Sequence, residues 1–380
     1  MPLLLLFTFL IDLLSVALLG LDIFLFREWY VFRTTSLERY AWSCFYGAAG
    51  ITSYLLLGRY TFSLLLCRWR SRGEEQPNLR RGKERQYIRR SDGSKIYVEF
   101  FGPEDAQPII FVHGWSSSRK EWFYQRKYFS KSYRVILMDL PGLGRSTRAD
   151  DRKISLEKMA DDLDEVIKLT SQKPILWGHS IGGMVILTNY LRHRPSVPVS
   201  VRALVLQHTT YINPVMTSAM TQFLSAIQKP VLEPLCYLML ILSPLVRPLR
   251  WLSYLNGHQH ILSRMLCFTG RQTWRQLNMV SFLAAITPPS VFARGVLASF
   301  RYDASNVLPF IKIPVCIVGA GKDKLTKPEA SITLHEKIPN ATLFIAEDTG
   351  HYGLIERHTE INEAVDSFMK KLDEISAKMF

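Results

Sequence analysis

The sequence predicts an α/β protein: a mostly parallel sheet carrying an inserted helical cap, preceded by a transmembrane or interfacial helical hairpin. Three observations predict it. From residue 86 short apolar runs alternate with longer amphipathic ones, the interval Tyr211 to Phe300 lacks that alternation, and the first 67 residues hold two long apolar runs. Repeated strand and helix alternation implies a parallel sheet covered on both faces. At 380 residues, 48% hydrophobic and 21% charged, the chain is too apolar for a disordered polymer and long enough for a sizeable core without disulfides or metals. Five cysteines without metal-ligand spacing argue against a disulfide framework and for a reducing compartment.

Residues 1–67 read as a membrane anchor. The run 1–26 is long enough to cross a bilayer, although Asp12 and Asp22 interrupt it, and a second run, Ala41 to Gly58, continues past Arg59 to Cys67. Each charge within a crossing costs about 2.5 to 3.5 kcal/mol, so a pair lying in the interface competes with a spanning hairpin. A cleavable signal peptide fits less well, because no basic residue precedes the first run.

The chain carries 47 Lys and Arg against 33 Asp and Glu, a net charge of +14, and the excess is local. Between Arg68 and Arg90 nine basic residues face three glutamates, and the linker within that stretch (68–85) is made loop-like by Gly73, Pro77 and Gly82. The positive-inside rule places this segment and the remainder of the chain on the cytoplasmic face, where the basic run can meet anionic headgroups. Nucleic acid fits poorly, since that run adjoins a membrane segment and no zinc spacing or RNA-binding signature accompanies it.

The core divides into 86–210 and 301–380 around the cap, 211–300. Gln86 to Arg90 and Lys95 to Phe101 flank the turn Ser91-Asp92-Gly93-Ser94 and predict a hairpin. Buried strands are expected at Pro108 to Val112, Tyr133 to Met138, Pro174 to Trp177, Val201 to Gln207, Pro314 to Val318 and Ala341 to Ile345. Helices are predicted at Ser155 to Leu169, Ile181 to Arg192, Pro328 to Lys337 and Glu360 to Leu372. The cap is apolar, helical and broken by prolines, and its seven Lys and Arg face Glu233 alone.

Chemistry enters with Gly178-His179-Ser180-Ile181-Gly182 between a strand and a helix. Gly178 and Gly182 permit the sharp turn that exposes a serine hydroxyl. A serine needs a base, and the base an orienting acid. Asp323 and His351 each come just after a strand, on the edge where Ser180 opens. Asp348 and Glu347 adjoin His351 but would have to reach across a tight turn. The other histidines fit less well: His193, His335 and His358 fall in or beside helices, His208 precedes the cap, and His258 and His260 lie within it. For the oxyanion, the backbone N–H of Ile181 is one expected donor and that of Trp115, in His113-Gly114-Trp115, the second. His113 and Asp139 read as structural braces.

Residues from about 86 to 376 resemble the α/β-hydrolase superfamily, through HG-W, DLPGLGRS, GHSIGG, GKD and GH in that order. The resemblance implies an eight-stranded sheet, a helical cap after the sixth strand, and a triad of Ser180, Asp323 and His351. Within the superfamily the chain is most similar to membrane-associated monoacylglycerol lipases and related carboxylesterases, which pair an N-terminal anchor with an apolar cap. Haloalkane dehalogenases and epoxide hydrolases carry Asp at the elbow, where this chain has Ser180. Acyltransferase-like relatives place Asp five positions after the histidine, where this chain has Glu356.

The expected reaction is hydrolysis of a lipid-like carboxylic ester through an acyl enzyme, with no metal or organic cofactor. A thioesterase, an amidase or a cofactor-free haloperoxidase would use the same triad, and a non-catalytic membrane scaffold could keep the fold. The nearly membrane-like stretch Pro230 to Leu252 is expected to dip into the interface with its arginines near the headgroups. Acyl length, head group and oligomeric state stay open.

Overall fold

The computed structural model describes residues 2–66, 77, 82, 84–193 and 200–378. Most of the basic linker, 68–85, lies outside the described residues.

Two helices, α1 (Pro2–Phe32) and α2 (Glu38–Leu66), open the chain as a hairpin. The 31 residues of α1 measure about 46 Å, more than the ~30 Å of a hydrocarbon core. Its acidic side chains are turned toward protein. Asp12 accepts from the Ser253 hydroxyl at 2.7 Å, Asp22 from Thr52 at 2.9 Å, and Glu28 from Tyr40 at 3.2 Å. Leu10, Leu13, Leu14, Leu21, Ile23 and Phe24 instead face outward. This reverses the arrangement of a helix on a soluble core, whose apolar stripe faces in.

A hairpin of β1 (Glu84–Arg89) and β2 (Lys95–Phe101) forms one edge of an eight-stranded sheet, with β2 antiparallel to β4 (Arg134–Met138). From there the strands are parallel: β3 (Pro108–Val112), β5 (Ile175–His179), β6 (Ala203–Gln207), β7 (Val315–Ala320) and β8 (Ala341–Ala346). Their spatial order is β1-β2-β4-β3-β5-β6-β7-β8. Every residue of β3, β5, β6 and β7 is buried, as continuous apolar runs in a doubly covered sheet require. The strand order reverses at β3, between β4 and β5, and the carboxyl ends of parallel strands beside such a reversal frame a crevice.

Between β6 and β7 lie the cap helices. Thr221 to Ile241 is helical throughout, because a π-helical turn at Gln228–Leu232 absorbs Pro230 and Pro234 falls in the first turn of the helix Glu233–Ile241. The expectation that arginines of this region sit near headgroups fails for Arg250. Its guanidinium is buried, reaches the Thr287 carbonyl at 3.4 Å and lies over the Phe292 ring. Two short helical segments without a sequence signal, Arg119–Trp122 and Phe123–Phe129, come after β3.

Candidate active site

β5 ends at His179 and the helix Ile181–Arg192 begins two residues later, so Ser180 alone must turn the chain. It does so at φ +54° and ψ −119°, a strained backbone for a side-chain-bearing residue. The turn is possible because its flanks are bare. A Cβ on Gly182 would stand 2.0 Å from the Val112 carbonyl oxygen, and one on Gly178 would stand 2.5 Å from the backbone of Gly182.

The hydroxyl so presented meets His351 Nε2 at 2.9 Å, and His351 Nδ1 lies 2.7 Å from Asp323 Oδ2. Thus the structure brings together the three residues expected to form a triad. Asp323 is held by the N–H groups of Leu325 at 2.7 Å and Thr326 at 3.0 Å, and by the Thr326 hydroxyl at 2.8 Å. Burial pushes its carboxyl up, but the His351 imidazole and these donors outweigh burial and leave it below the usual carboxylate range. For His351 the balance is opposite: burial lowers it more than Asp323 raises it, so the ring is a neutral base near neutral pH. Asp348 instead pairs with Lys322 at 2.7 Å on the exposed side.

Two further imidazoles hold the backbone of His351. The His351 carbonyl accepts from His179 Nε2 at 3.0 Å and from His208 Nδ1 at 2.9 Å. His208 is fully enclosed and pushed down to about 3, chiefly by burial, so it stays neutral. His179 Nδ1 faces Glu121 Oε1 at 3.0 Å, and the same oxygen accepts the Gly114 N–H at 2.8 Å. Each ring nitrogen of His179 thus faces a protein oxygen, the His351 carbonyl on one side and the buried Glu121 carboxylate on the other. Burial pushes Glu121 up, yet His179 and His113 outweigh it and hold it low. Glu121 therefore ties the loop after β3 to the serine elbow and, through His179, to His351. Sequence reading missed it, for a lone Glu in a polar stretch carries no local signal.

The backbone N–H groups of Trp115 and Ile181 donate to no acceptor among the described residues, and the cavity beside Ser180 is lined by Trp115. The Trp115 indole N–H is bound to the Phe292 carbonyl at 3.1 Å, which pins the loop to the cap. His113 braces that loop: one ring nitrogen meets the Gly114 carbonyl at 2.7 Å and the other accepts the Leu140 N–H at 2.9 Å. Asp139 accepts from the backbone and guanidinium of Arg119 in a buried ion pair. The cavity is small, about 30 Å³, and continues past Ser180 between Trp115, Gln259, Ser263, Val280 and Leu4. His258 and His260 do not line it. His258 bonds Ser15 of α1 and Tyr54 of α2, and His260 bonds Asn278.

A serine poised on a strained elbow at the carboxyl edge of a parallel sheet, against a buried base and acid, places the chain among α/β enzymes with a hydrolase-type site. The chain belongs to the alpha/beta hydrolase fold family, whose sequence pattern matches residues 107–358. It is 39% identical over 98 residues to a non-heme chloroperoxidase of Burkholderia pyrrocinia, a match covering 26% of this chain and 35% of that protein. It is 24% identical to epoxide hydrolase 3 of Xenopus tropicalis over 75% of this chain and 77% of that one. Among solved structures, a thermophilic esterase from Thermogutta terrifontis superposes with a TM-score of 0.60 at 22% identity, over 76% of this chain and 99% of the esterase.

Proposed function

We propose that the protein is a membrane-anchored serine esterase that cleaves a lipid-like carboxylic ester. The observation that carries this reading is the hydrogen-bonded chain from Ser180 through His351 to Asp323, opening into a cavity with an apolar wall. Ser180 Oγ attacks the ester carbonyl while its proton passes to His351 Nε2, and Asp323 holds the imidazole in the tautomer that can accept it. The N–H groups of Trp115 and Ile181 take the oxyanion. His351 returns the proton to the leaving alcohol, and a water activated by the same nitrogen releases the acid and restores Ser180.

Anchoring to a bilayer is supported by where the apolar side chains point. α1 is long and apolar enough to cross a membrane, and the cap adds its own outward ridge, with Ile241 76% and Leu245 66% exposed. The basic segment after α2 favours the catalytic domain on the cytoplasmic side, against anionic headgroups. Epoxide opening, suggested by one relative's name, is disfavoured by a hydroxyl rather than a carboxylate at position 180.

Labelling of the full chain with a fluorophosphonate probe tests the reading. The wild type should form an adduct and Ser180→Ala should not; an unlabelled wild type, or an equally labelled variant, overturns it. A panel of glycerides, phospholipids and thioesters then identifies the leaving group.

A further inference from the structure

The cavity at Ser180 is closed by three parts of the chain that are far apart in sequence. The core contributes Trp115 and Leu325, the cap contributes Val280 and Ala284, and the first turn of the anchor helix contributes Leu4. Leu4 is no loose end. Its neighbours Leu3 and Leu5 are buried in the main hydrophobic core, 2% and 0% exposed. Further along, α1 is bound to the cap: Asp12 to Ser253, and Ser15 to Ser253, Asn256 and His258 at 2.9 to 3.1 Å. These bonds fix the helix both along its axis and about it, so the position of Leu4 in the cavity is set by the fold.

The chemistry of the walls differs from side to side. Gln259 and Ser263 form a polar flank, linked to each other at 3.4 Å, whereas Leu4, Val280, Ala284 and Leu325 form an apolar one. An ester carbonyl at Ser180 carries one apolar substituent, the acyl chain, and burying each of its methylenes contributes about 0.8 kcal/mol. The apolar flank is therefore the surface that an acyl chain gains most by occupying.

We propose that Leu4 is a specificity-determining residue, and that the first turn of the membrane anchor is a wall of the acyl subsite. This inference rests on the esterase reading. On it, the anchor does more than hold the enzyme at a surface: its register against the cap sets the room available to the acyl chain.

The test uses the full chain in detergent and p-nitrophenyl esters of butyrate, laurate and palmitate. The readout is the ratio of kcat/KM between a long and a short ester, which cancels any loss of folded enzyme. Leu4→Trp should lower the laurate-to-butyrate ratio by about tenfold or more, the scale on which a few methylenes are discriminated in an apolar pocket. Leu4→Ala should raise the palmitate-to-butyrate ratio. An active Leu4→Trp enzyme with the wild-type ratio overturns the proposal. Should Leu4→Trp be inactive on every ester and unlabelled by the fluorophosphonate, Leu4→Ala decides, and an unchanged ratio there overturns it equally. A wild type that neither labels nor hydrolyses any ester would sink the esterase reading instead.

Discussion

His351 is buried, and its imidazole lies below the ordinary histidine range because burial outweighs the pull of Asp323. Only the unprotonated ring can accept the Ser180 proton, so activity is present above its folded pKa and falls as pH drops through it. The acid limb of kcat/KM should have its midpoint below about 6.5, measured with a soluble short-chain ester. A midpoint above that value would mean that Asp323, not burial, governs the ring. The same displacement bears on stability: between the two pKa values the unfolded chain binds the extra proton, so this group's contribution is lost as pH falls from about 6.5. Ser180, Asp323 and His351 were legible in the sequence because each comes just after a recognisable strand and sits in a glycine-bearing turn. Glu121 and His208 were not, since their roles depend on tertiary contacts: Glu121 meets His179 across a separation of 58 residues.

At the scale of elements, Glu356 joins the cap to the core. Buried near the end of the short helix Gly353–Glu356, it accepts from the N–H groups of Thr269, Gly270 and Arg271 and from the Thr269 hydroxyl, all at about 3 Å. Glu356→Ala strands three backbone donors. It should cost at least about 2 kcal/mol in thermal denaturation and speed trypsin cleavage at Arg271; an unchanged cleavage rate would show that the turn is held by other contacts. The strands were legible to within about two residues at each end, the inner ones because buried apolar runs bounded by turns have few alternatives. The helical turns at Arg119–Phe129 were not, being too short to display a helical period. Nor did the sequence disclose that a π-helical turn carries one cap helix past Pro230, since proline alone reads as a break.

For the whole molecule, the sequence marks off an N-terminal apolar helix pair, a core and an inserted helical stretch, but not how they touch. Asp12 and Asp22 read as flaws in a membrane segment, whereas in the structure both face protein: Asp12 the cap, Asp22 the second anchor helix. Ser253, Asn256 and His258 in turn bond α1. A fragment of residues 68–380 should therefore aggregate or stay bound to detergent rather than yield a soluble enzyme, with polar groups and an apolar cap surface uncovered together. Size-exclusion chromatography with active-site labelling checks this, and a monodisperse, probe-reactive fragment would show the anchor to be dispensable.

The length and continuity of α1 have a mechanical consequence. Its 31 residues run unbroken from the cavity wall outward, longer than a hydrocarbon slab is thick. On the proposed membrane-anchored reading, a helix without a joint transmits position, so the depth at which α1 sits in the bilayer would fix the height of Ser180 above it. A lipid sliding in along that helix would keep its tail in an oily environment throughout. For a twelve-carbon tail, full exposure to water on the way would add roughly 9 kcal/mol, at about 0.8 kcal/mol per methylene. On the same reading, holding Ser180 at a set depth would remove that barrier from the encounter, and α1 would then act on the rate of substrate capture as well as on location.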